Sequence, residues 1–203
     1  MFIAGLLSHG VQVPDLAAGA KFYTDFGLDV REDGPVGSVR CAGNSQEQVV
    51  LREGVDKRMQ SVAFRVVPGA LPELRQRLGA AGHDEVDGLP GRPDGLWVAD
   101  PDGLLVQLLE VDPATYREYP RVDYNFGGER NRVDNPRWQS LEAPRPRRLG
   151  HVVKFTADLA AAERFYLEVL GLKLSDRMDG FLSFWNTGAG GDHHVFGAIQ
   201  SSH

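Results

Sequence analysis

The stretch that decides the fold reads His9-Gly10-Val11-Gln12-Val13-Pro14-Asp15-Leu16-Ala17-Ala18-Gly19-Ala20-Lys21-Phe22-Tyr23. Its pattern returns later as His151-Val152-Val153-Lys154-Phe155-Thr156-Ala157-Asp158-Leu159-Ala160-Ala161-Ala162-Glu163-Arg164-Phe165-Tyr166. One insertion aligns the two stretches, and both run on into Gly-Leu, at Gly27-Leu28 and Gly171-Leu172. Self-similarity of this kind predicts a repeated structural unit.

Both copies predict the same order of elements: a strand, a helix N-cap, an amphipathic helix and a glycine that ends the helix. A strand with alternating side chains begins at the histidine. Asp15 or Asp158 then occupies a helix N-cap position, where its carboxylate can accept from free backbone N–H groups. Apolar residues at helical spacing follow, which predicts an amphipathic helix. Gly27 or Gly171 ends that helix, because glycine adopts the left-handed conformation at little cost.

A weaker third copy lies between the other two. Residues 61–66 predict a strand, residues 71–78 a helix, and residues 95–98 and 104–109 two further strands joined by a Pro- and Gly-containing turn. Three units of about 50 residues therefore fill most of the chain. We expect residues 1–112 to form a two-unit N-terminal module, residues 113–148 a connector with a solvated basic end, and residues 149–203 the first half of a second module.

Bulk composition excludes several functional classes. The formal net charge of −6 argues against nucleic acid or an anionic membrane as a partner. The single cysteine excludes a disulfide within the chain and fits a cytoplasmic protein. The N-terminus has no basic lead, and no apolar run approaches the roughly 20 residues that a membrane helix needs.

The repeated unit resembles that of the vicinal-oxygen-chelate superfamily, which includes glyoxalase I, bleomycin-resistance proteins and extradiol dioxygenases. The resemblance is carried by the two leading histidines, the Phe-Tyr pairs, the Gly-Leu pairs and the closing segment at residues 100–107. It implies an α+β fold of paired βαβββ units, in which two units form one open, barrel-like cup that can hold a divalent metal. The second module would be incomplete in this chain.

Within that superfamily, the two-module plan resembles type I extradiol dioxygenases. The resemblance implies an enzyme that cleaves a catechol-type aromatic diol with O2 at a mononuclear Fe(II) site, with Mn(II) as the other metal, and that is a homo-oligomer. It makes His151 a metal ligand in the second module and His194 the catalytic acid–base residue. A neutral imidazole suits proton transfer at cellular pH.

Strand geometry adds expectations about which side chains face the second cup. Residues two apart on a strand share a face, so Val153 should lie beside His151 and contact the substrate ring. His193 and His194 are adjacent, so they should point to opposite faces. By the resemblance, His194 is the one that faces the metal.

The first module offers a poor metal site. Its positions equivalent to the family ligands are expected to be His9, Ser61 and Gln107, and one imidazole with a hydroxyl and a neutral amide suits a divalent metal badly. We therefore expect no metal there. The remaining ligands of the second cup would lie beyond residue 203, and His203 itself is not expected to be one.

Two other functions stay open. A glyoxalase-type lyase or isomerase would share its metal ligands between modules in another pattern. A metal-free, bleomycin-resistance-like protein would only bind a small molecule in its cup. The ligand-poor first module favours this last possibility, whereas His151 and His194 favour an enzyme.

Overall fold

The computed structural model describes residues 1–115, 128 and 145–201. Its strands are β1 (Ile3–Val13), β2 (Asp29–Asp33), β3 (Val36–Arg40), β4 (Val49–Glu53), β5 (Arg58–Val66), β6 (Leu96–Ala99), β7 (Leu105–Leu109), β8 (Val152–Thr156), β9 (Lys173–Met178), β10 (Leu182–Asn186) and β11 (Phe196–Gln200). Its helices are α1 (Leu16–Asp25), α2 (Leu71–Ala80) and α3 (Leu159–Glu163), and α3 continues as a π-helical segment (Arg164–Val169). The predicted α+β class of paired βαβββ-type units is confirmed.

The strands form two sheets. The first has the order β2-β3-β4-β1-β5-β7-β6, and the second has the order β8-β11-β10-β9. In the first sheet, β1 pairs parallel with β4 and antiparallel with β5, so it joins the first unit to the second. In the second sheet, β8 pairs parallel with β11, the same arrangement as β1 with β4. Among the described strands, β8 lies at a sheet edge.

The predicted helix boundaries are confirmed at both copies of the repeat. The Asp15 carboxylate accepts from the Ala18 N–H at 2.9 Å, and the Asp158 carboxylate accepts from the Ala161 N–H at 2.9 Å. These bonds satisfy backbone donors that have no partner within the helix. Gly27 and Gly171 follow the helices with φ of 88° and 81°, a conformation that favours glycine.

The third helix departs from the first in its second half. The Leu170 N–H donates to the Phe165 carbonyl at 3.0 Å, an i→i+5 bond of the π-helical type. The side chains of Phe165 and Tyr166 are both fully buried, whereas Phe22 at the equivalent place in α1 is 61% exposed. The wider turn therefore places two aromatic rings in the core where a regular helix places one.

One core joins the two sheets. Phe64 of β5 contacts Phe196 of β11 at a ring-centroid distance of 5.6 Å and Tyr166 at 6.5 Å. Trp185 stacks on Tyr166, and all four rings are fully buried. The helix-covered face of the second sheet therefore packs against the first module and leaves its other face for the candidate site.

The expected equivalence of His9 and His151 is wrong by one residue. The His9 N–H donates to the Gln48 carbonyl at 3.1 Å, and the matching bond in the second sheet runs from the Val152 N–H to the Val195 carbonyl at 3.1 Å. His9 therefore matches Val152, and Ser8 matches His151. Ser8 and His151 both lie seven residues before their N-cap aspartates. Counted from the N-cap aspartates, the two stretches align without an insertion, so a histidine-to-histidine alignment is offset by one residue.

This register also separates the three residues expected at the first-module site. His9 pairs with Val62, which is fully buried in the core, while its neighbour Gly10 pairs with Ser61. Gln107 pairs with Ala63, on the same face as Ser61. His9 therefore points to the opposite face from Ser61 and Gln107, and the three do not form one site.

The ends of the expected connector contact the first module. The Thr115 N–H donates to the Ser45 hydroxyl, and the Asn44 side chain donates to the Arg147 carbonyl. Most of residues 113–148, like His203, lies outside the described residues. Within residues 1–115 and 145–201, no helix is long and apolar enough to span a membrane.

Candidate active site

The candidate site lies on the face of the second sheet that turns away from the core. His151 precedes β8 and is exposed, while Val152 next to it is buried. Val153 follows on the same face as His151 and is half-buried, as strand alternation predicts. Phe155 continues this face and is 72% exposed.

His151 and His194 are brought together. Their ring centroids lie 4.5 Å apart with an interplanar angle of 49°. His151 comes from the start of β8 and His194 from the loop before β11, and these two strands are parallel neighbours. The fold therefore places two imidazoles from distant parts of the sequence side by side.

The expected opposite orientation of His193 and His194 is wrong. Their Nδ1 atoms lie 3.1 Å apart, so the two imidazoles turn toward each other. The alternation rule does not apply, because neither residue lies in a strand: His193 is in a bend, and β11 begins only at Phe196. His193 is anchored through its carbonyl, which accepts from the Ser175 hydroxyl.

An aromatic floor supports the imidazoles. Phe184 of β10 stacks on His194 with centroids 4.3 Å apart and an interplanar angle of 13°. Phe184, Gly197 and Val153 form one row across the sheet. A Cβ atom at position 197 would collide with the Phe184 ring, so glycine makes room for it. Sequence reasoning missed Phe184, although alternation along residues 182–186 could have indicated it.

Electrostatics favour a neutral imidazole at His194. Desolvation lowers its pKa, and the neighbouring His151 and His193 lower it further, while Asp192 and Asp176 act in the opposite sense. A neutral imidazole can accept a proton or bind a metal. Asp192 is itself held ionised, because hydrogen bonds from Arg148 lower its pKa.

The described residues fit only part of a metal site. Within the described parts of the chain, no group of three or more His, Cys, Asp or Glu side chains is placed to hold a metal ion. Two adjacent imidazoles on an open face are suitable donors for iron or manganese, but a facial site needs a further ligand. The described residues therefore supply at least one imidazole donor for such a centre, but not its complete ligand set.

Val153 also borders a cleft of about 550 Å³ between β8 and the first module. The cleft is also lined by the apolar side chains of Phe155, Met59, Leu89 and Leu104 and by the charged side chains of Lys154 and Asp102. The cleft continues the apolar surface that begins beside the histidine pair.

Comparisons with known proteins agree with this architecture. Residues 148–203 match the family described as the Glyoxalase/Bleomycin resistance protein/Dioxygenase superfamily. Metapyrocatechase 2 of Cupriavidus necator is 35% identical over 198 residues, which are 96% of this chain and 60% of that protein. The chain thus spans about three-fifths of the length of this curated relative.

Solved structures show the same fold. The 2,3-dioxygenase LapB from Pseudomonas sp. KL28 aligns with a TM-score of 0.75 at 18% identity, over 100% of this chain and 72% of its own. The Mn(II)-bound glyoxalase from Novosphingobium aromaticivorans aligns with a TM-score of 0.72 at 21% identity, over 98% of this chain and 62% of its own. At these identities the likeness concerns the fold alone.

Proposed function

We propose that the intact protein is an extradiol dioxygenase, because residues 148–203 match the Glyoxalase/Bleomycin resistance protein/Dioxygenase superfamily and the described chain shares the fold of the 2,3-dioxygenase LapB. It would cleave a catechol-type aromatic diol with O2 at a mononuclear Fe(II) site, or Mn(II) in its place. The observation that carries this proposal is the juxtaposition of His151 and His194 on the open face of the second sheet. The name of the relative metapyrocatechase 2 supports the same reaction class.

His151 is proposed as a metal ligand. Its ring is exposed on the open face, where a metal, a diol and O2 could all reach it. The remaining ligands would come from the part of the intact protein outside this chain. When bound, iron(II) would chelate the two substrate oxygens and provide the redox chemistry that O2 requires.

His194 is proposed as the acid–base residue. Its lowered pKa leaves the imidazole neutral and able to take a proton from a substrate hydroxyl near His151. Stacking on Phe184 fixes the plane of the His194 ring. The bend at residues 191–193 fixes the direction from which the His194 side chain enters the site. Val153, with Phe184, would contact the substrate ring and exclude water from one side of it.

The first module is proposed to hold no catalytic metal. The hydrogen-bond register that matches Ser8 with His151 also matches Glu47 with His194. Glu47 forms an ion pair with Arg92 at 2.6 Å, and Ser8 is buried. Leu89 covers Gly10 and Ser61 in the same cup. In the first module, Ser8 takes the place of His151, and Glu47, whose carboxylate is already paired with Arg92, takes the place of His194.

The test uses the intact protein and two substitutions. His151→Ala should abolish both iron retention and ring cleavage, because it removes a ligand. His194→Ala should retain iron and slow turnover by about 10²–10⁴-fold, the usual contribution of general acid–base catalysis. His83→Ala is the control, since His83 packs on Phe165 on the helix side of the sheet. Iron content and the absorbance of the ring-fission product from a catechol panel are measured together.

Three results would each lead to another conclusion. Equal iron loss in His194→Ala and His151→Ala would make His194 a ligand and refute its assigned role. A metal-loaded protein that leaves catechols intact and isomerises hemithioacetals would be a glyoxalase-type enzyme. An intact protein with neither metal nor cleavage would be a binding protein.

A further inference from the structure

The first unit carries a second cleft that the histidine site does not use. It has a volume of about 830 Å³ and lies over β2, β3 and β4. On β3, Ser38 and Arg40 share a face, and Ser38 pairs with Arg31 of β2 and Val50 of β4. Arg52 lies two residues beyond Val50, on that same face. Four guanidinium groups line this cleft, those of Arg31, Arg40, Arg52 and Arg92.

Two of these arginines have fixed partners at the loop between α2 and β6, to which Pro90 and Arg92 belong. Arg52 donates to the Pro90 carbonyl at 2.7 Å, and Arg92 pairs with Glu47 at 2.6 Å. Burial lowers the pKa of Arg52, and the charge of Arg92 lowers it further. The fold therefore holds the positive charges of Arg52 and Arg92 close together, and a bound anion would reduce the electrostatic repulsion between them.

The other two arginines, Arg31 and Arg40, are exposed. Among the residues that the structure describes, neither Arg31 nor Arg40 forms an ion pair. Asp33 and Asp94 also line the cleft, so its charge is mixed but positive in balance. Pro35, Val36 and Pro90 add apolar surface.

The repeat supplies an internal comparison. Matching backbone bonds, from Gln48 to Val39 and from Val195 to Trp185, align β3 with β10. The strand registers then match the arginines at 31, 40 and 52 with Asp176, Asn186 and Ile199 in the third unit. The third unit therefore forms the same strands without arginine at these three positions. The net charge of the whole chain is −6, so an excess of basic residues does not explain the cluster either. Neither the fold nor the bulk composition accounts for this cluster.

We propose that this arginine-lined cleft is a binding site for a small organic polyanion, with carboxylate or phosphate groups bound by Arg31, Arg40, Arg52 and Arg92. The planar guanidinium group binds both kinds of anion through paired hydrogen bonds. The volume is that of a small-molecule site, and the two prolines and Val36 would contact a carbon skeleton. This inference does not depend on the proposed ring-cleaving function, because the site lies within residues 31–94.

The experiment is calorimetric titration of the 203-residue chain with citrate and, separately, inorganic phosphate, at low salt. We expect saturable 1:1 binding. Tighter binding of citrate would identify a carboxylate ligand, and tighter binding of inorganic phosphate would identify a phosphate ligand. The variant Arg31→Gln/Arg40→Gln should weaken binding at least about 10-fold, since each charge-assisted bond contributes substantially. Both side chains are exposed, so the variant should fold normally.

Arg75→Gln is the matched control, because Arg75 lies on α2 and pairs with Glu85. It removes one positive charge from the surface without changing the cleft, so it should bind like the wild type. The proposal would be overturned if neither citrate nor inorganic phosphate showed saturable binding. An unchanged affinity in the double variant, or an equal loss in Arg75→Gln, would also overturn it.

Discussion

Lys154 and Asp100, 54 residues apart in the chain, form a buried ion pair that joins β8 to the turn between β6 and β7. Their side chains are 6% and 0% exposed. Lys154 also contacts Asp102 at 2.6 Å, and Asp100 accepts from the Tyr166 hydroxyl at 2.8 Å. The strand that leads from His151 is therefore fixed to the first module by charge as well as by apolar packing.

Breaking this pair should destabilise the protein strongly. Removing one partner of a buried pair leaves an uncompensated charge, which typically costs about 3–5 kcal/mol. Lys154→Met and Asp100→Asn should each lower the free energy of unfolding by that order in urea titrations. The double variant should lose less than the sum of the two, because both substitutions remove the same interaction. Additive losses would contradict a direct coupling between the two residues.

Tyr166→Phe should reveal the hydrogen bond that the π-helical segment makes possible. Burial raises the pKa of Tyr166 well above its usual range, and the charge of Asp100 raises it further, so the hydroxyl stays protonated and donates. A hydrogen bond to a charged group contributes about 1.5–3 kcal/mol, and the free energy of unfolding should fall by that amount. The control Tyr23→Phe, at the half-exposed equivalent position in α1, should stay within about 0.5 kcal/mol of the wild type.

Local signals in the sequence predicted local structure well. Asp15 and Asp158 cap their helices, and Gly27 and Gly171 follow them, because these positions depend on the chemistry of a few neighbouring residues. The shared face of His151 and Val153 follows from strand alternation alone.

Features that depend on distant contacts or local irregularities were not predictable. The match of Ser8, rather than His9, with His151 follows from the backbone hydrogen bonds of β1 and β8, which the two similar histidine-led stretches obscured. The bend before β11 turned His193 toward His194. The Lys154–Asp100 pair joins residues whose proximity depends on how two sheets pack, and no periodicity in either segment indicates it.

His9 provides a test of the corrected register. Its Nδ1 atom is buried without a hydrogen-bond partner among the described residues, and desolvation lowers its pKa below the ordinary value near 6.5. The folded state therefore binds fewer protons than the unfolded state as the pH falls through 6.5 toward the lowered pKa, and stability decreases in that window. At higher pH both states hold a neutral imidazole and this contribution disappears.

His9→Leu should remove this pH dependence. It should also raise the free energy of unfolding by about 1 kcal/mol, because an unsatisfied polar group is replaced by an apolar one. Urea titrations at pH 7.5 and 5.5 measure both effects. If the variant were destabilised at both pH values and kept the wild-type slope, His9 would not be a desolvated core residue.

Arg148 should control the position of the histidine pair. Arg148 lies three residues before His151, Asp192 lies two residues before His194, and two guanidinium N–H groups of Arg148 bond the two oxygens of Asp192. The second of these bonds is 2.6 Å long. Because these bonds lower the pKa of Asp192, the pair persists through neutral pH and is lost only as the pH falls through that lowered pKa.

Arg148→Gln should therefore affect catalysis far more than stability. A partly exposed pair contributes no more than about 1 kcal/mol to folding, yet a displacement of about 1 Å at a reacting group can lower the rate up to about 10²-fold. In the intact protein, we expect a fall in kcat of that order with iron retained. Arg177→Gln is the matched control, since it breaks a similar pair with Glu163 on the helix-covered face and should leave kcat unchanged. Equal kcat values in the two variants would mean that the Arg148–Asp192 pair does not position His194.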